Sequence, residues 1–231
     1  KQKTYTFLKD GETEADSLTY QILEQHAKAI AANLQSLNAK GERVLLLYPP
    51  GLKLMAGFFG CLYGRAIAIS TYPARPNQSL SRLEAIVADA QAKFILTTKP
   101  LLPYLKGRFA QNSILATIQL LDTDNIITQN LESHWQEPNI NGDTLAFLQY
   151  TSRSTGKPKG VMITHKNILH NLAMGYEQSD ITPESITVTW LPFSHNTGLL
   201  VGVLQPLYGN FPVKIMSPLD FLQKPFRWLM A

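Results

Sequence analysis

The sequence predicts an α/β fold with a mostly parallel sheet flanked by helices, and three observations carry that expectation. Val44-Leu-Leu-Leu-Tyr48 is an unbroken apolar run, the pattern of a strand buried on both faces. A helix-length apolar stretch, Leu52 to Tyr63, separates it from the strand-like Ile67-Ala-Ile69. The alternation then repeats, with a helix from Arg82 to Ala92 and the strand Phe94-Ile-Leu-Thr97. Strand, helix, strand is the order that a parallel sheet needs, because parallel neighbours require a long crossover.

The elements follow in order. Thr4 to Glu12 reads as a strand and tight turn, and Ser17 to Tyr20 as a second strand or the start of a helix. From Tyr20 to Leu37 apolar residues recur at helical spacing: Ile22, Leu23, Ala27, Ile30, Ala31 and Leu34. His26, within that helix, reads as a surface residue. Pro49-Pro-Gly51 turns the chain after the first buried strand. Tyr72 to Asn77 is a rigid loop, and Ser79 or Ser81 can cap the next helix. Residues 99–141 suggest a helix after Pro100, a strand from Ile114 to Leu121, and a polar loop carrying His134 and Trp135. Thr144 to Tyr150 and Val161 to Thr164 read as strands on either side of a polar hairpin.

Composition bounds the class. The chain has 231 residues, 45% hydrophobic and 16% charged, as in a folded and rather apolar protein. Its formal net charge is +4, with the basic residues scattered, which argues against a nucleic-acid partner. The single cysteine, Cys61, excludes an intrachain disulfide and fits a reducing compartment, the cytoplasm. It lies in an apolar helical run and reads as an inert core thiol. No signal peptide opens the chain, and Leu54 to Tyr72 is broken by Arg65 and glycines, so no transmembrane segment is expected. Lys1 is not an initiator methionine, and Phe226 to Ala231 stops inside an apolar helical pattern. The chain therefore reads as part of a longer polypeptide.

The hairpin Thr151-Ser-Arg-Ser-Thr-Gly-Lys-Pro-Lys-Gly160 carries the chemistry. Hydroxyls and backbone N–H groups donate hydrogen bonds, glycines admit close approach of the main chain, and lysines neutralise charge, which together suit phosphate. One lysine about 4 Å from a phosphate is worth about 4 kcal/mol at an effective dielectric of 20, before desolvation. The Walker loop is excluded, since Thr151 and Pro158 stand where it needs a glycine and a Ser or Thr. Ser154-Thr-Gly-Lys157 matches the Ser-x-x-Lys of penicillin-recognising acylases, but the partner motifs are missing. An exposed basic hairpin without a ligand is the plain alternative.

The hairpin resembles the nucleotide-phosphate motif of the adenylate-forming superfamily, Thr-Ser-Gly-Ser-Thr-Gly-x-Pro-Lys-Gly, with Arg153 in place of a glycine. That arginine either fills the space the glycine leaves or serves as an added phosphate ligand. Tyr48-Pro-Pro-Gly-Leu52, Phe58 to Tyr63, Ser79 to Phe94, Leu191-Pro-Phe-Ser-His195 and Phe221 to Trp228 are similar to the fatty acyl-AMP ligase branch. The likeness runs the length of the chain. It departs from the family pattern at Gly64-Arg65, Ser70-Thr71 and His195-Asn-Thr-Gly198.

This resemblance implies that residues 1–231 are part of the N-terminal AMP-binding domain of such an enzyme, the C-terminal lid domain being absent. It implies a ligase that activates a fatty acid with ATP to an acyl-adenylate and pyrophosphate, then passes the acyl group to phosphopantetheine on an acyl carrier protein or polyketide synthase module. A catalytically lapsed ligand-binding remnant and a coenzyme A ligase fragment are the alternatives. ATP and Mg2+ are the implied cofactors. Thr151, Ser152, Arg153, Ser154, Thr155, Gly156, Lys157, Lys159 and Gly160 would hold the triphosphate, with Thr151 also a magnesium contact. Lys159 and His195 are the catalytic candidates, His195 lying at a turn by the carboxylate–phosphate junction. His165 and His170 read as histidines satisfied in turns. Gly198, Leu199 and Gly202 either line an acyl channel or belong to a core helix whose glycines permit close packing.

Overall fold

The structure is a computed structural model that describes residues 4–74, 77–151 and 158–231. It opens with a hairpin, β1 (Tyr5–Lys9) and β2 (Thr13–Leu18), whose turn places Asp10 and Gly11 at positive φ. Helix α1 (Tyr20–Ser36) starts at Thr19, whose hydroxyl accepts the Ile22 N–H at 3.2 Å. There follow β3 (Arg43–Leu47), α2 (Lys53–Tyr63), β4 (Ile67–Thr71), α3 (Ser81–Ala90) and β5 (Phe94–Thr97). Next come α4 (Leu102–Phe109), a 3-10 turn at Leu115–Thr117, β6 (Gln119–Asp122), α5 (Thr123–Thr128) and a second 3-10 turn at Leu131–His134. β7 (Leu145–Tyr150) and β8 (Gly160–Thr164) lead into α6 (His165–Glu177), which starts on a capping box between Thr164 and Asn167. The remainder is β9 (Thr187–Thr189), α7 (Asn196–Leu199), a π-helical turn at Leu200–Leu204, α8 (Gln205–Gly209), β10 (Val213–Met216), α9 (Pro218–Gln223) and α10 (Phe226–Met230).

The strands form two sheets where the sequence suggested one. The larger has the order β6-β5-β3-β4-β7-β8, parallel throughout except for the antiparallel β7–β8 pair. The smaller has the order β2-β1-β10-β9, with only β1–β2 antiparallel. Val44, Leu46 and Tyr48 belong to a core that reaches both sheets and includes Tyr5, Ile30, Phe58, Phe147, Leu199 and Val213. Leu45 and Leu47 point the other way, into a second core with Ile69, Ile86, Ile95 and Phe109. The period of two along one strand thus explains its unbroken apolar sequence. Each such leucine, fully buried, contributes about 1.5–3 kcal/mol.

Other expectations need correction. Ile22 is 39% exposed, because the inward stripe of α1 runs through Leu23, Ala27, Ile30 and Leu34. His26 is half-buried rather than on the surface. Extended structure begins at Gln119 rather than Ile114, since the Asn112 side chain accepts the N–H groups of Ile114 and Leu115 and bends the chain. Trp135 packs on Tyr63 and donates to its carbonyl at 2.9 Å, so that segment is docked onto α2. Cys61 is buried and free, as expected of a core thiol. No helix among the described residues is long and apolar enough to cross a membrane.

Candidate functional site

The hairpin is rooted by the last pair of β7 and β8, Tyr150 opposite Gly160, and closed by the Thr151 N–H donating to the Lys159 carbonyl at 3.2 Å. Gly160 is needed there for space: a Cβ on it would lie 3.0–3.2 Å from the Tyr150 ring. That ring is held from behind, its hydroxyl donating to Asp89 Oδ2 on α3 at 2.6 Å. Burial and the Asp89 carboxylate push the Tyr150 phenol well above its ordinary range, so it stays a neutral donor. Lys159 is exposed and Thr151 half-buried. Ser152, Arg153, Ser154, Thr155, Gly156 and Lys157, assigned above to the triphosphate, lie outside the described residues.

His195 stands at the N-terminus of α7 with extended backbone, φ −97° and ψ 144°. Its N–H donates to Pro192 at 3.0 Å and its carbonyl accepts from Leu199 at 3.0 Å, which leaves the imidazole exposed on a tight turn. Gly198 makes that turn possible, because a Cβ on it would lie 2.1 Å from the Pro192 carbonyl oxygen. Gly202 packs against the Phe193 ring, and Leu199 is 1% exposed. These three residues make the packing contacts of a core helix. Leu191, Pro192 and Phe193 instead wall an apolar cleft together with Tyr48, Leu54 and Ile215. Sequence reading missed those walls, since they come from stretches far apart in the chain. His165 and His170 lie in helix α6, not in turns.

The end of β7, at the root of the hairpin, and the His195 turn meet. Gln149, the residue before Tyr150, donates through Nε2 to the Ser194 carbonyl at 3.1 Å. Tyr150 and His195 line one cavity of about 180 Å³ with Ser70, Thr71, Ser79 and Arg82. It lies at the carboxyl ends of the parallel strands β4 and β7, where ligands of α/β sheets bind. The apolar cleft abuts it, with Thr71, Tyr72 and Ser194 common to both. A polar, cationic chamber beside an apolar one suits a ligand with an anionic head and an apolar tail. The described residues contain no cluster of three or more His, Cys, Asp or Glu able to hold a metal. Any divalent ion here would be held by an oxygen such as that of Thr151 together with phosphate oxygens of a nucleotide, a hard-ligand set that suits magnesium.

A family model described as AMP-binding enzyme matches residues 1–231. The chain is 46% identical to the medium-chain-fatty-acid–[acyl-carrier-protein] ligase JamA of Moorena producens, covering 100% of this chain and 39% of that protein. It is 34% identical to the long-chain-fatty-acid–AMP ligase FadD32 of Mycobacterium marinum, over 97% of this chain and 36% of the relative. Among solved structures, the fatty acyl-adenylate ligase from L. pneumophila, in complex with acyl adenylate and pyrophosphate, superimposes with a TM-score of 0.89 at 40% identity. That match covers 99% of this chain and 39% of the other. The chain thus spans about two fifths of the length of these relatives.

Proposed function

Since the chain belongs to the AMP-binding enzyme family, we propose that it is the phosphate-gripping part of a ligase that activates a fatty acid with ATP. A carboxylate oxygen attacks the α-phosphorus, the bond to the β-phosphate breaks, and pyrophosphate leaves. The carboxylate is already nucleophilic, so this chain's residues position and neutralise rather than act as a base. Thr151, Lys159, Gly160 and the hairpin residues between them take the phosphates, His195 faces the reacting junction, and the apolar cleft receives the acyl tail. Magnesium accompanies the nucleotide, with Thr151 as its protein oxygen. The thiol of a phosphopantetheine on a carrier protein or polyketide synthase module then attacks the acyl carbon, the bond to the phosphate oxygen breaks, AMP leaves and the thiol proton goes to solvent; the site of action is the cytoplasm.

The observation that carries this reading is the shared cavity of Tyr150 and His195, braced by the Gln149 bond to Ser194. The test is calorimetry of ATP on the 231-residue chain. We expect binding that Lys159→Ala weakens about tenfold, the loss of one charge-assisted contact. Wild-type protein that ignores ATP would remove the reading. The relatives' greater length leads us to expect no fatty-acid-dependent pyrophosphate exchange from this chain alone, and such exchange when it is joined to the remainder of an AMP-binding enzyme.

A further inference from the structure

We propose, on the nucleotide reading above, that Tyr104 and Arg108 of α4, which stand outside the cavity, are positioning residues that hold one of its walls for the nucleotide. That wall is the loop from Tyr72 to Leu80 between β4 and α3, whose Ala74, Gln78 and Ser79 line the cavity with Tyr150 and His195. Its described residues form neither helix nor strand, so its course depends on the groups that tie it down. Two ties come from α4. The Tyr104 hydroxyl donates to the Ala74 carbonyl at 2.8 Å, and Arg108 Nη2 donates to the Gln78 carbonyl at 2.7 Å.

The spacing of the two donors makes this possible. Residues four apart share one face of a helix, so one side of α4 presents both groups to the loop. The Arg108 guanidinium lies 5.9 Å from the centre of the Tyr104 ring, and each side chain steadies the other. Helix α4 is itself fixed. Leu105 and Phe109 are each 2% exposed in the second core, and the Asn112 amide donates to Glu84 on α3 at 2.6 Å. The ties thus run from an anchored helix to main-chain oxygens of the wall, and neither donor lines the cavity itself. A loop held in this way before the ligand arrives loses less freedom on binding. Pyrophosphate is held at the hairpin without reaching this wall, whereas ATP, with its nucleoside attached, extends into the cavity against it.

Calorimetry of the 231-residue chain with ATP and with pyrophosphate tests this. Tyr104→Phe and Arg108→Ala should each weaken ATP about fivefold, the worth of one hydrogen bond, and leave pyrophosphate unchanged. The double variant should lose less than the product of the two, because the side chains interact. Arg108→Lys, which keeps a donor, should recover part of the loss. Gln35→Ala is the control for general loosening. It removes two hydrogen bonds with the Gln136 main chain, at 2.7 and 3.1 Å and away from the cavity, so it should lower the melting temperature without changing ATP affinity. Equal losses of ATP and pyrophosphate, or an equal loss of ATP in Gln35→Ala, would make the ties structural only and overturn the proposal. If wild type binds ATP and the α4 variants bind it as well, the proposal is overturned while the nucleotide reading stands. If wild type does not bind ATP, both fall.

Discussion

Tyr150 and Asp89 are joined at 2.6 Å, and through that bond helix α3 fixes the ring that packs against Gly160 at the root of the hairpin. The ring lies over Gly160, so strand β7, helix α3 and the root of the hairpin form one mechanical unit.

Gly160→Ala should therefore destabilise the fold by about 1–2 kcal/mol, because the ring it meets cannot swing away. Tyr150→Phe, which frees the ring from Asp89, should cost about 1 kcal/mol by itself. Combined, the two should cost less than their sum, since a released ring can yield to the added methyl. Urea midpoints of the three variants check this.

Arg65 sits at φ +56° between α2 and β4, a left-handed conformation that glycine adopts without penalty. Arg65→Gly should stabilise the protein by about 0.5–1 kcal/mol, after allowing for the greater freedom of glycine in the unfolded chain. At this size that is a rise in melting temperature of about 1–4 °C.

Gly198→Ala should cost more than about 2 kcal/mol, because its methyl would strike a main-chain oxygen rather than a flexible side chain. It should also weaken ATP-dependent ligand binding, since relief requires moving the His195 turn. Thermal melts and calorimetry on the same variant separate the two effects.

Burial holds His26 and His165 below the ordinary imidazole range, with Asp16 and Glu132 partly offsetting it for His26. On acidification the unfolded chain takes up these protons first, near pH 6.5, while the folded protein resists them. Stability present above that pH should decline as pH falls through it toward the folded values. Urea midpoints from pH 7.5 to 5.5 should fall for wild type and fall less for the His26→Gln, His165→Gln double variant.

The sequence exposed the larger sheet because its strands are long enough, and apolar enough on both faces, to leave an unbroken signature such as Val44 to Tyr48. Of the smaller sheet, β1 and its turn were legible from Thr4 to Glu12, and the other strands left little trace. β9 has three residues and β10 four, and β2 reads Thr-Glu-Ala-Asp-Ser-Leu, largely exposed. Residue patterns indicated the hairpin and the His195 turn separately. Their meeting through Gln149 was not legible, because no local pattern encodes a contact spanning 45 residues.

Trp190 stacks face to face on Phe221, ring centres 4.0 Å apart, five residues before His195. The turn thus carries a built-in optical sensor: any shift of it on ligand arrival alters the surroundings of an indole. Emission from Trp190, with Trp135 and Trp228 replaced by phenylalanine, would follow occupancy of the chamber in real time without a label.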